Sequence, residues 1–323
     1  MPLSASDITI TITIYNRRQF LKQAISSALE QTVPVRVIVV ENCSPDAGME
    51  AFVRGEFGSR IEYYRNPKTV GIFRNFNDCM RRCPTPWLSI LHDDDYLAPG
   101  FVASMIELSR QAPDCGLYFG ETTILDELRG PVPYGRRPIT EPWQRITLQD
   151  AIAITPFSFP GQLFRPKQAL AVGGFREFSQ YCGDWELWCK LIANHGAAQT
   201  RDTVAFNRSH SSGRESSKVH VSGRVRPLSF VQQKRIFHLL RQTGMPARFD
   251  RAALLRASPM SVNFLVQHGG NLTPRLLRYH AGLLHHSSSP SPAHAAFRLL
   301  AGCFGVSFIR LAIRAARLKQ SRA

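Results

Sequence analysis

The alternation of strand and helix patterns over residues 8–119 constrains the fold more than any other feature of this sequence. Residues 8–14 read Ile-Thr-Ile-Thr-Ile-Thr-Ile, and this strict alternation predicts a strand. Residues 18–31 have the apolar spacing of a helix, and the β-branched run at 35–40 is typical of a strand buried on both faces. The pattern continues with strands predicted at 61–64, 87–91 and 116–119 and helices at 72–82, 99–111 and 184–193. Strands that alternate with helices predict an α/β fold with a mainly parallel sheet flanked by helices.

The basic charge of the chain is concentrated in its last third. The formal net charge is +16, but residues 1–200 hold 20 Lys and Arg against 21 Asp and Glu, whereas residues 201–323 hold 20 against 3. We therefore expect a near-neutral body and a basic tail with an anionic partner. The 44% hydrophobic content excludes a disordered chain and a coiled coil.

We expect one domain over residues 1–220 and a basic α-helical extension over residues 221–323. Residues 126–147 and 208–224 read as loops because Pro, Gly, Ser and Arg dominate them. Residues 293–317 have helical apolar spacing, and basic residues cluster at their end. Such a helix suits an anionic membrane surface and equally suits an ordinary docked position on the body. Residues 293–323 are therefore the candidate membrane contact.

Neither a signal peptide nor a membrane span is expected. The first ten residues lack a basic segment followed by a long apolar run, and no stretch reaches the ~18–20 apolar residues that cross a bilayer. Seven cysteines without paired short spacings indicate reduced thiols. We expect a cytoplasmic protein, peripheral at the inner face of the membrane if its last helix binds there.

Three consecutive carboxylates are the strongest chemical signal. Asp93, Asp94 and Asp95 follow the predicted strand 87–91, and ligands of parallel α/β sheets bind outside the carboxyl ends of strands. Adjacent carboxylates repel one another, and Mn²⁺ or Mg²⁺ relieves this by binding one or two of them together with phosphate oxygens. The alternative is a cap for the helix near Pro99. A cap needs one Asp, so three favour a metal site.

A second acidic segment opens the helix predicted at 184–193. Asp184 and Glu186 are two residues apart and cannot share a helix face, so we expect one to face a site and the other to face solvent. Asp184 lies at the edge of an apolar stripe, where desolvation raises the pKa of a carboxyl and suits it to act as a general base. The alternative is a first-turn Asp favoured by the helix dipole.

Three basic side chains are candidates for contacts to a diphosphate. Arg74 follows Gly71 near the sheet edge, and Arg208 and His210 lie in the polar segment after a strand-like stretch at 204–206. A surface arginine and a structural histidine are the ordinary alternatives.

Taken in order, these segments resemble the family 2 glycosyltransferases, inverting nucleotide-sugar enzymes with the GT-A (Rossmann-like) fold. The resemblance covers about residues 8–215. It rests on residues 12–17 (Ile-Thr-Ile-Tyr-Asn-Arg), 39–46 (Val-Val-Glu-Asn-Cys-Ser-Pro-Asp), 66–75 with Asn66, Gly71, Arg74 and Asn75, 93–99 (Asp-Asp-Asp-Tyr-Leu-Ala-Pro), 163–175, 183–188 (Gly-Asp-Trp-Glu-Leu-Trp) and 208–210 (Arg-Ser-His). Each block is weak alone, and the ordered set is specific.

The resemblance implies a metal-dependent hexosyltransferase that moves a sugar from a nucleoside diphosphate to an acceptor hydroxyl. It implies Asp184 as the catalytic base and Asp94, Asp95 and His210 at the metal. The nucleotide would contact Thr13, Tyr15, Arg17, Glu41, Asn42, Arg74 and Asp93, and Arg208, Trp185 and Glu186 would lie near the diphosphate or the acceptor. We expect a UDP or dTDP donor rather than GDP, a glycan or lipid-linked acceptor, and a role in surface polysaccharide or glycoconjugate assembly.

Three positions depart from the family pattern. Glu41-Asn42 stands where the family has two acidic residues, His92 replaces the first Asp of the metal block, and Gly183 replaces the Glu before the base. These departures leave open an inactive GT-A-like module that binds a nucleotide sugar. A nucleic-acid-binding protein acting through its tail is the less favoured alternative, because the tail carries no recognisable nucleic-acid motif. We expect no nucleic-acid partner.

Overall fold

A computed structural model describes residues 3–126, 130–133, 139–153, 158–177 and 183–209. The predicted extension 221–323, its boundary at residue 220, the candidate membrane helix and His210 lie outside these residues, so they remain predictions. Side chains at 149, 152 and 153 are likewise outside the description.

The first half of the chain follows the predicted alternation of strands and helices. All the strands and helices predicted there are present, with ends shifted by one to two residues in most cases; the short helix α2 and the two-residue strand β5 were not predicted. The elements are β1 (Ile8–Ile14), α1 (Arg18–Leu29), β2 (Arg36–Glu41), α2 (Met49–Phe57), β3 (Glu62–Arg65), α3 (Ile72–Arg82), β4 (Trp87–His92), β5 (Tyr96–Leu97) and α4 (Phe101–Gln111).

The second half contains more strands than the sequence predicts. Its elements are β6 (Leu117–Asp126), β7 (Gly130–Pro133), β8 (Trp143–Ile146), α5 (Leu148–Ala153), β9 (Gln162–Phe164), α6 (Pro166–Ala171), α7 (Gly183–His195) and β10 (Ala197–Ser209). The prediction of a loop over 126–147 is wrong for β7 and β8, which pair antiparallel with β6 and β10. Proline suits such edge positions because they need no ladder donor.

One mixed sheet organises the described part of the chain, with strand order β3-β2-β1-β4-β9-β6-β10-β5. The pairs β3-β2, β2-β1 and β1-β4 are parallel, and so is β6-β10. The short β9 runs antiparallel between β4 and β6. The predicted α/β fold of helices around a largely parallel sheet is confirmed. The parallel strands end at a common edge, where the acidic segment after β4 lies.

The sheet is covered on both faces. The isoleucines of β1 face a core built with α1, α2 and α4, whereas the threonines of β1 face the opposite side, and both sets are buried. The second face is aromatic, and its rings pack in a continuous cluster contributed by α3, α7 and the segments near them: Phe76, Phe119, Phe159, Phe164, Phe175 and Trp188. This aromatic face leads directly to the acidic edge.

None of the helices in the described ranges combines the length and the apolar character that a membrane crossing requires.

Candidate active site

The end of β4 sends successive side chains to opposite faces of the sheet, as strand geometry requires. Asp93 points toward the β1–α1 turn, where its carboxylate accepts hydrogen bonds from Arg17 Nη1 at 2.9 Å and from the Tyr15 backbone N–H at 3.3 Å. The adjacent His92 packs instead within the aromatic cluster. The turn therefore brings predicted nucleotide-binding residues from β1 and β4 together.

The three carboxylates are buried, with at most 5% of each residue exposed. Arg17 Nη1 also lies 3.3 Å from Asp94 Oδ2, so one guanidinium serves two of them. Burial raises the pKa of Asp93, and Arg17 opposes that rise. The structure thus concentrates negative charge in a poorly solvated place, which is where a bound cation is most stabilising.

Asp95 connects β4 to β10. Its carboxylate accepts hydrogen bonds from the Arg208 backbone N–H at 3.0 Å and from Asn207 Nδ2 at 3.3 Å, and it lies 3.5 Å from His92 Nδ1. Burial raises the pKa of Asp95, and the His92 contact opposes the rise. Asp95 therefore holds the acidic turn after β4 against β10.

His92 packs against two aromatic rings that also contact each other. The imidazole stacks on Phe159 at 4.3 Å and on Phe76 at 5.5 Å between ring centroids, with interplanar angles of 18° and 16°. Its Nε2 atom is buried without a hydrogen-bond partner. Burial alone would lower the pKa of His92, but the contact with Asp95 and the nearby carboxylates reverse this and raise it. The ring orientation is thus set by aromatic packing and by the contact with Asp95.

Asp184 lies in the first turn of α7, beside this cluster. Its Oδ1 accepts a hydrogen bond from the Trp185 backbone N–H at 2.8 Å. Burial raises the pKa of the Asp184 carboxyl, and His92 is near enough for its charge to oppose that rise. The predicted apolar stripe of α7 is present, since Leu187, Trp188 and Leu191 are all fully buried. A half-buried carboxyl with a raised pKa, next to the acidic edge, can accept a proton.

The departure at Gly183 has a steric cause. A Cβ atom at this position would lie 2.5 Å from Cζ and 2.6 Å from Cε2 of Phe73. The Phe73 ring therefore occupies the space that a side chain at 183 would need, and it is held there by stacking on Phe175 at 5.8 Å. Phe73 therefore fills the space that the family's Glu would need at position 183.

Glu41 and Asn42 hold the loops around them. Glu41 is fully buried and accepts hydrogen bonds from the Ser44 N–H and the Tyr63 hydroxyl. The Asn42 amide bonds the backbone of Val70 in both directions, with Nδ2 donating to O at 2.9 Å and Oδ1 accepting from N at 3.0 Å. Both side chains thus make structural contacts at the carboxyl end of β2.

The remaining predicted residues occupy varied positions. Thr13 is the penultimate residue of β1, with its hydroxyl 3.5 Å from Leu91 O, and Tyr15 is 43% exposed. Arg74 is exposed on α3. The Arg208 guanidinium lies over the rings of Phe20 and Tyr96 and donates to Gln23.

The prediction that one of Asp184 and Glu186 faces solvent is wrong for Glu186. Glu186 is 2% exposed and pairs with Lys190 Nζ at 2.5 Å and Arg176 Nη1 at 3.7 Å. Trp185 is also buried, and its Nε1 donates to Ala151 O at 2.6 Å. An internal cation four residues along the helix thus replaces solvent as the partner of Glu186.

Sequence reasoning missed the aromatic surroundings of the site. His92 was read only as a departure from the family pattern, yet it belongs with Asp94 and Asp95 to a group whose candidate ligand atoms lie within 4.8 Å of one another. The three-residue spacing of Phe73 and Phe76 on α3 was the available signal, because it places both rings on one helix face. The donor set of this group, two carboxylates and an imidazole, fits a divalent cation.

The mixed sheet, with buried carboxylates at the carboxyl edge of its parallel strands, has the arrangement of the GT-A fold. Residues 9–157 match the family model described as Glycosyl transferase family 2. The resemblance found in the sequence is thereby confirmed.

Two curated relatives are similar to this chain. An uncharacterized protein of Mycobacterium tuberculosis is 25% identical over 233 residues, covering 67% of this chain and 71% of that protein. An uncharacterized glycosyltransferase of Rickettsia conorii is 24% identical over 189 residues, covering 57% of this chain but only 31% of that protein.

Solved structures share the fold. Residues 1–349 of TarS from S. aureus, crystallised in complex with UDP-GlcNAc, align with a TM-score of 0.61 at 14% identity over 96% of this chain and 89% of that chain. The mannosyltransferase PcManGT from Pyrobaculum calidifontis, in complex with GDP-Man and Mn²⁺, aligns with a TM-score of 0.58 at 16% identity over 99% and 88%.

Proposed function

We propose that this protein is a metal-dependent inverting glycosyltransferase, of hexosyltransferase type, that moves a sugar from a nucleoside diphosphate donor to an acceptor hydroxyl. The observation that carries the proposal is the pairing of two sites at one sheet edge. A buried carboxylate cluster suits a cation and a diphosphate, and a separate half-buried carboxyl, Asp184, suits proton removal. Solved proteins of the same fold bind UDP-GlcNAc and GDP-Man, which supports a nucleotide-sugar donor.

In the proposed reaction, Asp184 takes the proton of the acceptor hydroxyl as its oxygen attacks the anomeric carbon. Attack from the face opposite the diphosphate inverts that centre in a single displacement. The raised pKa of Asp184 favours this role, because a base is most effective when its pKa approaches the working pH.

The acidic turn would hold the donor. Asp93 would contact the nucleotide with Thr13 and Tyr15, while Asp94 and Asp95 would hold Mn²⁺ or Mg²⁺, with His210 nearby. When bound, the cation supplies stabilisation of the charge that develops on the leaving diphosphate. Arg17 is a further candidate for the diphosphate, because it already binds Asp93 and Asp94 and carries the charge that phosphates require.

The biological setting is also a proposal. A glycan or lipid-linked acceptor, a UDP or dTDP donor and a role in surface polysaccharide or glycoconjugate assembly follow from the family resemblance. A location in the cytoplasm, at the inner face of the membrane through residues 293–323, follows from the charge distribution.

Release of nucleoside diphosphate from a panel of UDP-, dTDP- and GDP-sugars tests the proposal. We expect turnover of at least one donor with Mn²⁺ or Mg²⁺, loss of turnover in chelator, and loss in Asp94→Ala. Asp114→Ala is the matched control, because that carboxylate pairs with Arg145 away from the site. Nucleotide-sugar binding without turnover for every donor and acceptor would instead support the inactive module.

A further inference from the structure

We propose that the imidazole of His92 is a ligand of the divalent cation, through Nδ1 and alongside Asp94 and Asp95. The site then has mixed nitrogen and oxygen donors and prefers Mn²⁺ or Co²⁺ over Mg²⁺. This inference rests on the proposed function for the presence of a cation and adds the identity of a ligand that the family pattern does not supply.

The positions of the candidate ligand atoms carry the proposal. The closest atoms of His92, Asp94 and Asp95 all lie within 4.8 Å of one another, and Nδ1 is 3.5 Å from Asp95 Oδ2. Two ligands bound at ~2.1 Å and at right angles around one ion stand ~3 Å apart. The observed separation is therefore close to that of two ligands sharing a cation, and it is long for a direct hydrogen bond.

The imidazole is oriented for this role before any ion arrives. Phe159 stacks on the imidazole, and Phe76 packs on the same side because its ring contacts that of Phe159 at 5.0 Å, so a change of ring orientation would disturb this aromatic packing. About a quarter of the His92 side chain is exposed, whereas Asp95 is 1% exposed. The stacked ring thus directs Nδ1 at the carboxylates and leaves part of its edge open toward solvent.

The protein does little to oppose the tautomer that a metal needs. Ligation through Nδ1 moves the ring proton to Nε2, and Nε2 has no hydrogen-bond partner. Only the contact to Asp95 favours a proton on Nδ1. A cation bound between Nδ1 and Asp95 replaces that contact and also compensates the buried carboxylate charge.

The choice of metal follows from the donor atoms. Mg²⁺ prefers oxygen ligands in a strict octahedron, whereas imidazole nitrogen suits later transition metals. The family's Asp at this position would give an oxygen-only set. We expect His92→Asp to reduce the ratio of Mn²⁺ to Mg²⁺ affinity by at least about tenfold, a size typical of changes around a metal site.

Pulsed electron paramagnetic resonance of the Mn²⁺-loaded full chain tests the ligand directly, without any turnover. We expect ¹⁴N modulation from a coordinated imidazole in the wild-type protein, its replacement by a ¹⁵N pattern when histidine is ¹⁵N-labelled, and its loss in His92→Asp. The modulation should persist in His210→Asn, and in His195→Asn as the matched control from the far end of α7.

Each alternative result overturns the inference. Stoichiometric Mn²⁺ binding without ¹⁴N modulation would exclude an imidazole ligand, and complete loss of modulation in His210→Asn would assign the signal to the other histidine. If His92→Asp does not fold, the labelled wild-type and His210→Asn proteins still decide. The two proposals are tested independently. If the wild-type protein turns over a donor but shows no ¹⁴N modulation, only the His92 ligand is excluded. If no donor is turned over, the resonance spectrum still shows whether His92 binds Mn²⁺.

Discussion

Gly183 and Phe73 are expected to be energetically coupled, and the coupling can be sized from the structure. A Cβ at 183 would meet Cζ, Cε2 and Cε1 of Phe73 at 2.5, 2.6 and 3.0 Å. The ring would have to move by about 1 Å to restore an ordinary carbon contact of ~3.5 Å, and Phe175 stacks against it. Such overpacking costs about 1–3 kcal/mol.

Gly183→Ala therefore has opposite effects in two backgrounds. Alanine gains up to about 1 kcal/mol in helix propensity over glycine, so in the wild-type protein the substitution should lower the free energy of unfolding by a net ~1 kcal/mol. In Phe73→Leu the obstacle is gone, and the same substitution should be neutral or stabilising. Urea unfolding of the four proteins gives the coupling energy, expected at about 1–3 kcal/mol. Additive effects of the two substitutions would refute the steric explanation of Gly183.

Three further predictions concern charge, backbone and pH. Arg17→Gln should tighten Mn²⁺ binding about 10- to 100-fold, because a unit charge ~5 Å from a divalent ion at an effective dielectric of 20 opposes it by ~7 kcal/mol before solvent screening, and the partly exposed Arg17 is strongly screened; unchanged or weaker affinity by titration calorimetry would contradict this. Cys43 has a φ of 52°, and left-handed backbone disfavours β-branched side chains, so Cys43→Val should lower the free energy of unfolding by about 1–2 kcal/mol. Cys43→Gly should not lower it, and equal melting temperatures for the two variants would count against this explanation. Burial raises the pKa of Asp184 above the ordinary 3.8, so turnover should rise as pH increases through that higher value, and an acid limb centred at or below 3.8 would exclude Asp184 as the base.

The parallel half of the fold was predictable because its signals are local. The Ile-Thr alternation of β1 and the β-branched run of β2 specify strands by themselves, and Ile72–Arg82 was predicted with its observed ends. β7 and β8 were missed because Pro and Gly dominate their surroundings. Their pairing to β6 and β10 depends on partners distant in sequence, which composition does not reveal.

The chemistry of the site was predictable only in its carboxylates. The sequence alone shows that the carboxylates of Asp93, Asp94 and Asp95 must repel one another, because the three residues are consecutive. The contacts around the site depend on the tertiary structure. Phe159 stacks on His92 although the two residues are 67 positions apart in the sequence, and the Asn42 amide hydrogen-bonds the backbone of Val70. Glu186 likewise found its partners, Lys190 and Arg176, inside the protein. The residue types in the sequence indicate where charged and polar groups occur, whereas their contact partners depend on the fold.

The role of Asp184 as the base of a glycosyl transfer is tested most directly by the Asp184→Asn variant. Turnover and donor binding are measured for this variant and compared with the wild-type protein. The substitution keeps the size of the side chain and removes its ability to accept the proton. We expect turnover to fall about 10²- to 10⁴-fold while calorimetric affinity for the nucleotide sugar with Mn²⁺ stays within about twofold of wild type, with Asp114→Asn unchanged in both. Wild-type turnover in Asp184→Asn would contradict the account.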